Sequence, residues 1–190
     1  MKIGLFGGTF NPIHYGHLFI AEWIRESLNL EKIIFIPAAF PPHKLDINIT
    51  DKTHRWNMLK LATEDNPLFD ISDIEIKDNK ISYTVDTLKK FSKSGDEIYF
   101  IIGEDNLKDL HIWKDPDEIL SLSKIVIASR KKNSEQNKNH INNSKIIYAN
   151  SPVISISSTQ VRERVAQGKS IKYFVHPAVE EYISKEGLYR

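Results

Sequence analysis

The 190-residue chain contains no cysteine. That excludes a disulfide framework, a thiolate nucleophile and a cysteine-based zinc site. Long apolar runs are missing too. The stretch over residues 1–6 is far too short for a signal peptide or a bilayer-spanning helix, and no other segment is long enough. Neither sign of charge dominates: the formal net charge is +1, so no basic field points to nucleic acid or to a membrane surface. These absences give the expectation of a cytoplasmic chain with no nucleic-acid and no membrane partner. A homo-oligomer is compatible with all of them. The two commonest phosphate loops are also absent. There is no GxxxxGK[ST], and Gly4, Gly7 and Gly8 do not make GxGxxG.

The chain does have the composition of a soluble fold, 41% hydrophobic and 27% charged, and a length that lets it bury about 70% of its unfolded surface. Short Ile- and Val-rich runs recur at 3–6, 33–36, 98–102, 125–128 and 146–149. They are nearly continuous, as in strands buried on both faces of a parallel sheet. Residues 70–76 alternate instead, which predicts a strand with one wetter face or a crossover near an edge. Between the runs lie helical patterns. His17, Ile20, Ala21, Ile24 and Leu28 share one helix face, and further helices are predicted over 53–65, 84–91 and 116–122. Strands alternating with helices indicate a doubly wound, Rossmann-like α/β fold with a mainly parallel sheet. Two helices follow the last strand, over 158–167 and 177–185, each closed by a glycine (Gly168, Gly187). The expected organisation is a single domain over 1–190, an α/β core over 1–155 and a small C-terminal helical subdomain over 156–190. Residues 38–50, with Pro41-Pro42, and the Asn-rich 131–144 are predicted loops.

Chemistry concentrates at two places. The first strand runs into Gly7-Gly8-Thr9-Phe10-Asn11-Pro12-Ile13-His14-Tyr15-Gly16-His17 just before a helix. Ligands of open α/β sheets bind outside the carboxyl ends of strands, and a helix N-terminus favours anions. The three-residue spacing of His14 and His17 brings two imidazoles toward one side of a first helical turn. His17 also lies on the apolar stripe, where it could be a core histidine. No neighbouring carboxylate or third histidine completes a metal set. The second place is Ile156-Ser157-Ser158-Thr159-Gln160-Val161-Arg162. Ser157 and Gln160 have capping-box spacing; Ser158 and Arg162, at i and i+4, would present a hydroxyl and a guanidinium to an anion.

His14-Tyr15-Gly16-His17 and Ile156–Arg162 are similar to the paired signature of the nucleotidylyltransferase superfamily, (H/T)xGH and ISSTxxR. Further segments narrow the likeness. Gly7–His14, Pro41-Pro42-His43-Lys44, Ser82-Tyr83-Thr84-Val85-Asp86-Thr87-Leu88, Ile102-Gly103-Glu104-Asp105-Asn106-Leu107, Trp113 and Gly187-Leu188-Tyr189 resemble the bacterial nicotinate-nucleotide adenylyltransferases over essentially the whole chain. One departure is Glu104, where that family usually has a small residue. The resemblance implies transfer of AMP from ATP to nicotinate mononucleotide, giving deamido-NAD and pyrophosphate in NAD biosynthesis. It implies Mg²⁺ carried by the ATP phosphates and no metal site built of protein ligands. His14, His17, Lys44 and Arg162 would be catalytic. Gly7, Gly8, Thr9, Phe10, Gly103, Asp105, Arg130, Ser157, Ser158 and Thr159 would bind ATP. Asn11, Thr84, Asp86 and Trp113 would bind the acceptor, with Trp113 as a wall for the pyridine ring. From position alone, Lys44 could be a solvated charge, Thr84 and Asp86 helix caps, Trp113 packing, and Arg130 a phosphate contact or none. Two rival readings are a phosphopantetheine or other small-nucleotide adenylyltransferase of the same superfamily and a non-catalytic nucleotide-binding regulator. The presence of both His17 and Arg162 argues against the latter.

Overall fold

The computed structural model describes residues 1–39, 49–78, 81–128 and 144–190. Strands β1 (Lys2–Gly8), β2 (Lys32–Pro37), β3 (Phe69–Ile71), β4 (Glu97–Gly103), β5 (Lys124–Ala128) and β6 (Ile146–Ala149) form one sheet. Every pairing is parallel and the order is β3-β2-β1-β4-β5-β6. The five continuous apolar runs became five of these strands because both faces of the sheet are covered. One face carries α1 (Tyr15–Ser27), α2 (Lys52–Thr63), α7 (Ser158–Ala166) and α8 (Pro177–Lys185). Their Ala21, Ile24, Met58, Leu59, Val161, Val179 and Ile183 share a core with Phe6 and Phe35. The other face carries α3 (Ile74–Asp78), α4 (Thr84–Phe91), α5 (Glu104–Leu107) and α6 (Pro116–Leu122). Here Val85, Leu88 and Ile119 pack on Leu5, Phe100 and Ile127. Strand order reverses between β1 and β4, so a crevice opens at their carboxyl ends.

The local signals explain the helix limits. Ala21 and Ile24 of α1 are fully buried, and burying a side chain such as Ile24 is worth about 1.5–3 kcal/mol. Helix α7 starts at a reciprocal capping box, in which Ser157 Oγ accepts from the Gln160 N–H and Gln160 Oε1 from the Ser157 N–H. It ends at Gly168, whose φ of 65° closes the last turn with the Lys169 N–H donating to the Arg164 carbonyl. The C-terminal helices share the main core: α8 lies on α2, where Tyr182 Oη meets His54 Nδ1 and Asn57 Nδ2, each at 2.9 Å.

The alternating 70–76 segment differs from its predicted strand. Pairing with β2 stops at Ile71, and Ile74 and Ile76 belong to α3. Ser72-Asp73 breaks the extended run, and the Asp73 carbonyl accepts the Lys77 N–H of a helical turn. Ile74 then packs on the second core from a helix rather than a strand.

One side chain in α2 has an unusual position. Arg55 is 1% exposed. Its Nε donates to the Thr50 carbonyl at 2.9 Å, Nη1 to those of Thr9 (2.8 Å) and Ala38 (2.7 Å), and Nη2 to that of Ala39 (3.2 Å). Burial draws its pKa below the ordinary arginine value, yet a guanidinium stays charged throughout the pH range of a folded protein. It fastens the loop after β1 to the segment leaving β2. Arg55→Met is expected to lose about 2–4 kcal/mol of stability, because buried carbonyls are left without donors. Urea unfolding checks this, and a loss below about 1 kcal/mol would show that the carbonyls find other partners.

Candidate active site

The crevice at the β1/β4 switch is a cavity of about 340 Å³, at the small end of the range for ligand sites. Gly7, Gly8, Thr9, Phe10, His14 and His17 line it from β1 and the following loop. The geometry of that loop accounts for its residues. Phe10 has a left-handed φ of 48°, uncommon for a non-glycine residue. It is held there by its ring, which is buried edge-on to Phe6 at 5.7 Å and to Phe35 at 5.8 Å. The ring lies under Gly8, where an added Cβ would come within 2.8 Å of it.

His14, 2% exposed, immediately precedes α1, and His17 sits on its first turn. Their rings stack with centroids 3.6 Å apart and planes at 24°. The His14 N–H donates to His17 Nδ1 at 3.3 Å. Acceptance at Nδ1 places the proton of a neutral His17 on Nε2, the form that can donate to an anion. The same ring meets Phe10 edge-on at 5.1 Å and Phe6 at 6.1 Å. His17 is thus at once a packing residue of the apolar stripe and a lining residue of the cavity. The glycine between the histidines sits close against a ring: a Cβ on Gly16 would stand 3.0 Å from His14 Nδ1 and would press on the stacked pair.

The second motif docks on the first. Ser158 Oγ donates to the Pro12 carbonyl at 2.9 Å, and Arg162 Nη1 to the Asn11 carbonyl at 2.8 Å. Arg162 Nη2 also meets Thr159 Oγ1 at 3.2 Å. The motifs are therefore joined in space, although the cavity wall itself is reached by Ile156 rather than by Ser157, Ser158, Thr159 or Arg162. Asn11 is likewise off the wall. It is buried, and its Oδ1 accepts from Tyr189 Oη at 2.9 Å. Burial pushes the Tyr189 hydroxyl up to about 12, so it remains a donor.

On the other side, Gly103, Thr84 and Trp113 line the cavity. Trp113 stands edge-on to Phe100 at 6.5 Å. Asp86 does not reach the wall and pairs with Lys114 at 3.1 Å. Neither Thr84 nor Asp86 caps α4, which begins after Tyr83. Glu104 opens α5 directly after Gly103. Lys44, Arg130 and the Asp105 side chain lie outside the described residues, as do nearly all of the predicted loops over 38–50 and 131–144. Among the described residues no group of three or more His, Cys, Asp or Glu side chains is placed to hold a metal, and no helix is long and apolar enough to cross a membrane.

Two cavity residues, Ser151 and Glu75, carried no signal in the sequence. Trp113 Nε1 and Ser151 Oγ are buried in the wall with no hydrogen-bond partner among the described residues; such groups are what a polar ligand can satisfy. Glu75 of α3 also lines the cavity. Its Oε1 accepts from Thr87 Oγ1 at 2.7 Å, and it is hydrogen-bonded to Ser82, whose Oγ accepts the Ala39 N–H at 3.2 Å. An isolated glutamate in a short helix gives no pattern to read; only the fold turns it inward.

The chain as a whole is similar to known proteins. A sequence model of the cytidylyltransferase-like family covers residues 5–164. A protein of Caldicellulosiruptor bescii named "Probable nicotinate-nucleotide adenylyltransferase" is 45% identical with both chains covered in full. One of Dictyoglomus thermophilum with the same name is also 45% identical over the full length of both. The chain belongs to the nicotinate-nucleotide adenylyltransferase family. Its fold is shared by the Plasmodium falciparum nicotinic acid mononucleotide adenylyltransferase complexed with NaAD (TM-score 0.82, 24% identity, 99% and 97% of the two chains). The same enzyme complexed with APC superposes with a TM-score of 0.79 at 23% identity, over 99% and 96%.

In this member of the nicotinate-nucleotide adenylyltransferase family, Glu75 puts a proton-binding group in the cavity wall. Burial pushes its carboxyl above the ordinary glutamate range, with the Thr87 and Ser82 hydroxyls and then Lys90 drawing it back. The folded chain therefore holds this proton more tightly than the unfolded chain does. The associated stability is full below the unfolded value, roughly 4.3, and is lost as pH rises through the folded value. Glu75→Gln has no proton to lose. Thermal unfolding at about pH 4 and about pH 8 is expected to show the variant gaining on the parent at the higher pH; a difference independent of pH would place the carboxylate in a better-solvated setting.

Proposed function

We propose that the chain transfers AMP from ATP to nicotinate mononucleotide, releasing pyrophosphate and forming deamido-NAD. The observation that carries this reading is one continuous cavity with two unlike walls. The glycine loop and stacked histidines face it from one side of the sheet, and Thr84 and Trp113 from the other, in a chain 45% identical to relatives of that name over its full length.

The chemistry needs no protein nucleophile, because the acceptor phosphate is already an anion. An acceptor phosphate oxygen forms a bond to the α-phosphorus of ATP, the bond from that phosphorus to the bridging oxygen of the β-phosphate breaks, and the electron pair leaves with pyrophosphate. Catalysis is then positioning and charge stabilisation. His17, donating through Nε2, and His14 beside it meet the phosphates where negative charge moves toward the leaving group. Gly7, Gly8, Thr9 and Phe10 bring the loop backbone close. We assign Lys44 and Arg162 to neutralising the outer phosphates and Arg130 to ATP binding. Gly103, Asp105 and Ser157–Thr159 seat the rest of ATP; Asn11, Thr84, Asp86 and Trp113 shape the acceptor side. Mg²⁺ would enter with ATP and would supply screening of the phosphate charge. Both substrates are cytoplasmic metabolites, and we place the chain there.

His17→Ala is expected to lower kcat about 10²–10³-fold with far-ultraviolet circular dichroism unchanged. Near-parental turnover, or an unfolded variant, would return His17 to a purely packing role. The reading as a whole is tested by supplying ATP, Mg²⁺ and one acceptor at a time, and following pyrophosphate and the adenylylated product. Turnover with nicotinate mononucleotide is the expected result. Turnover with phosphopantetheine alone would overturn the acceptor assignment, and silence from folded protein would favour a nucleotide-binding regulator.

A further inference from the structure

The backbone beyond α8 folds back toward the first loop. Gly187 turns it with a φ of 63°, and the Leu188 N–H donates to the Ile183 carbonyl at 3.0 Å, as at many helix C-termini. Tyr189 then takes a left-handed φ of 63°, an outlier for a bulky side chain. Such a conformation persists only where its surroundings over-determine it, and it points to a function. The side chain is what holds Tyr189 there. Its ring packs on the main core. Its Oη donates to Asn11 Oδ1 at 2.9 Å and is hydrogen-bonded to the Thr50 side chain. The Thr50 carbonyl in turn receives Arg55 Nε at 2.9 Å.

Asn11 is the point where two captures meet. Its side chain is held by Tyr189 and its carbonyl by Arg162 Nη1 at 2.8 Å. Phe10 precedes it and His14 follows three positions on, and both line the cavity. At the far end of this stretch the Tyr15 N–H donates to the Phe174 carbonyl at 2.9 Å. The C-terminal part of the chain therefore grips residues 11–15 at both ends. We infer that Tyr189 is a positioning residue for ATP: acting through Asn11, its hydroxyl fixes the loop that carries Phe10 and His14 and the guanidinium that grips it. This rests on the function proposed above, in which that loop holds the phosphates. Tyr189 is absent from the cavity wall, so its influence passes through geometry and not through contact with substrate. A seat built of backbone and imidazole has little slack, because such groups bind only when already in place.

Tyr189→Phe removes one oxygen and leaves the ring in the core. Titration calorimetry with ATP and Mg²⁺ is expected to show an affinity lowered about threefold to tenfold, the worth of one hydrogen bond. KM for ATP should rise in parallel, while KM for nicotinate mononucleotide stays within about twofold. Tm is expected to fall by about 2–4 °C. Thr50→Val is the matched control. It removes the other hydrogen bond of Tyr189 and spares the bond to Asn11, so it should lower Tm by a similar amount and leave ATP affinity within about twofold. A Tyr189→Phe protein with a lower Tm and unchanged ATP affinity would make the tyrosine purely structural and overturn the inference. An equal loss of affinity in Thr50→Val would overturn it too, by showing general loosening. A parent that binds ATP without turning over nicotinate mononucleotide would sink the proposed function alone, and the ATP affinities of the variants would still decide the role of Tyr189. A parent that does not bind ATP would sink both.

Discussion

Three side chains from distant parts of the chain donate hydrogen bonds to three carbonyls of the loop after β1. Arg55 takes that of Thr9, Arg162 that of Asn11 and Ser158 that of Pro12. The rest of the site depends on this capture. A loop meant to hold phosphate has to keep carbonyl lone pairs away from the anion, and an oxygen engaged by a guanidinium or hydroxyl is both turned aside and partly neutralised. Two of the three donors are guanidiniums, so they add positive potential behind the loop. The left-handed Phe10 lies inside the fastened segment, which is how a conformation disfavoured for a phenylalanine persists.

The doubly wound topology then separates two tasks. Each face of the sheet has its own core, and the cavity opens along the edge where the two meet. The face bearing α1 and α7 supplies imidazoles and loop backbone. The face bearing α3, α4 and α6 supplies an aromatic wall, a buried carboxyl and an ammonium. The two faces also meet away from the strands, where Lys52 of α2 donates to the Ile76 carbonyl of α3 at 3.1 Å.

Much of this was legible in the sequence, and the remainder has physical reasons for being hidden. Strands buried on both faces announce themselves by composition, and five continuous apolar runs became five strands. Helices with a capping residue or a closing glycine had nearly correct limits, as at Ser157 and Gly168. The 70–76 segment misled because alternation of isoleucine with polar residues is compatible with a strand and, over so few residues, with a helical turn; Ser72-Asp73 decided it. Arg55 and Glu75 were invisible for another reason. The partners of Arg55 are backbone carbonyls and those of Glu75 are hydroxyls on the segment that follows, and neither periodicity nor local spacing encodes such a pairing. The second motif allowed two readings, cap and anion site. Ser157 does cap the helix, while Ser158 and Arg162 grip the loop of the first motif.

The bond from Tyr189 to Asn11 joins residues 178 positions apart, and those made by Arg162 and Ser158 span 151 and 146. Closing such wide loops is entropically slow, and it waits on contacts that no single βαβ unit can supply. In a chain emerging from the ribosome, β1 can pair with β2 early, and the loop between them and α1 would be present in outline. Its Asn11 and Pro12 carbonyls stay uncaptured until residues 158–189 have been made and docked. Nucleotide affinity is therefore a property acquired at the end of synthesis, and a prematurely ended chain would be a sheet lacking any organised seat for phosphate.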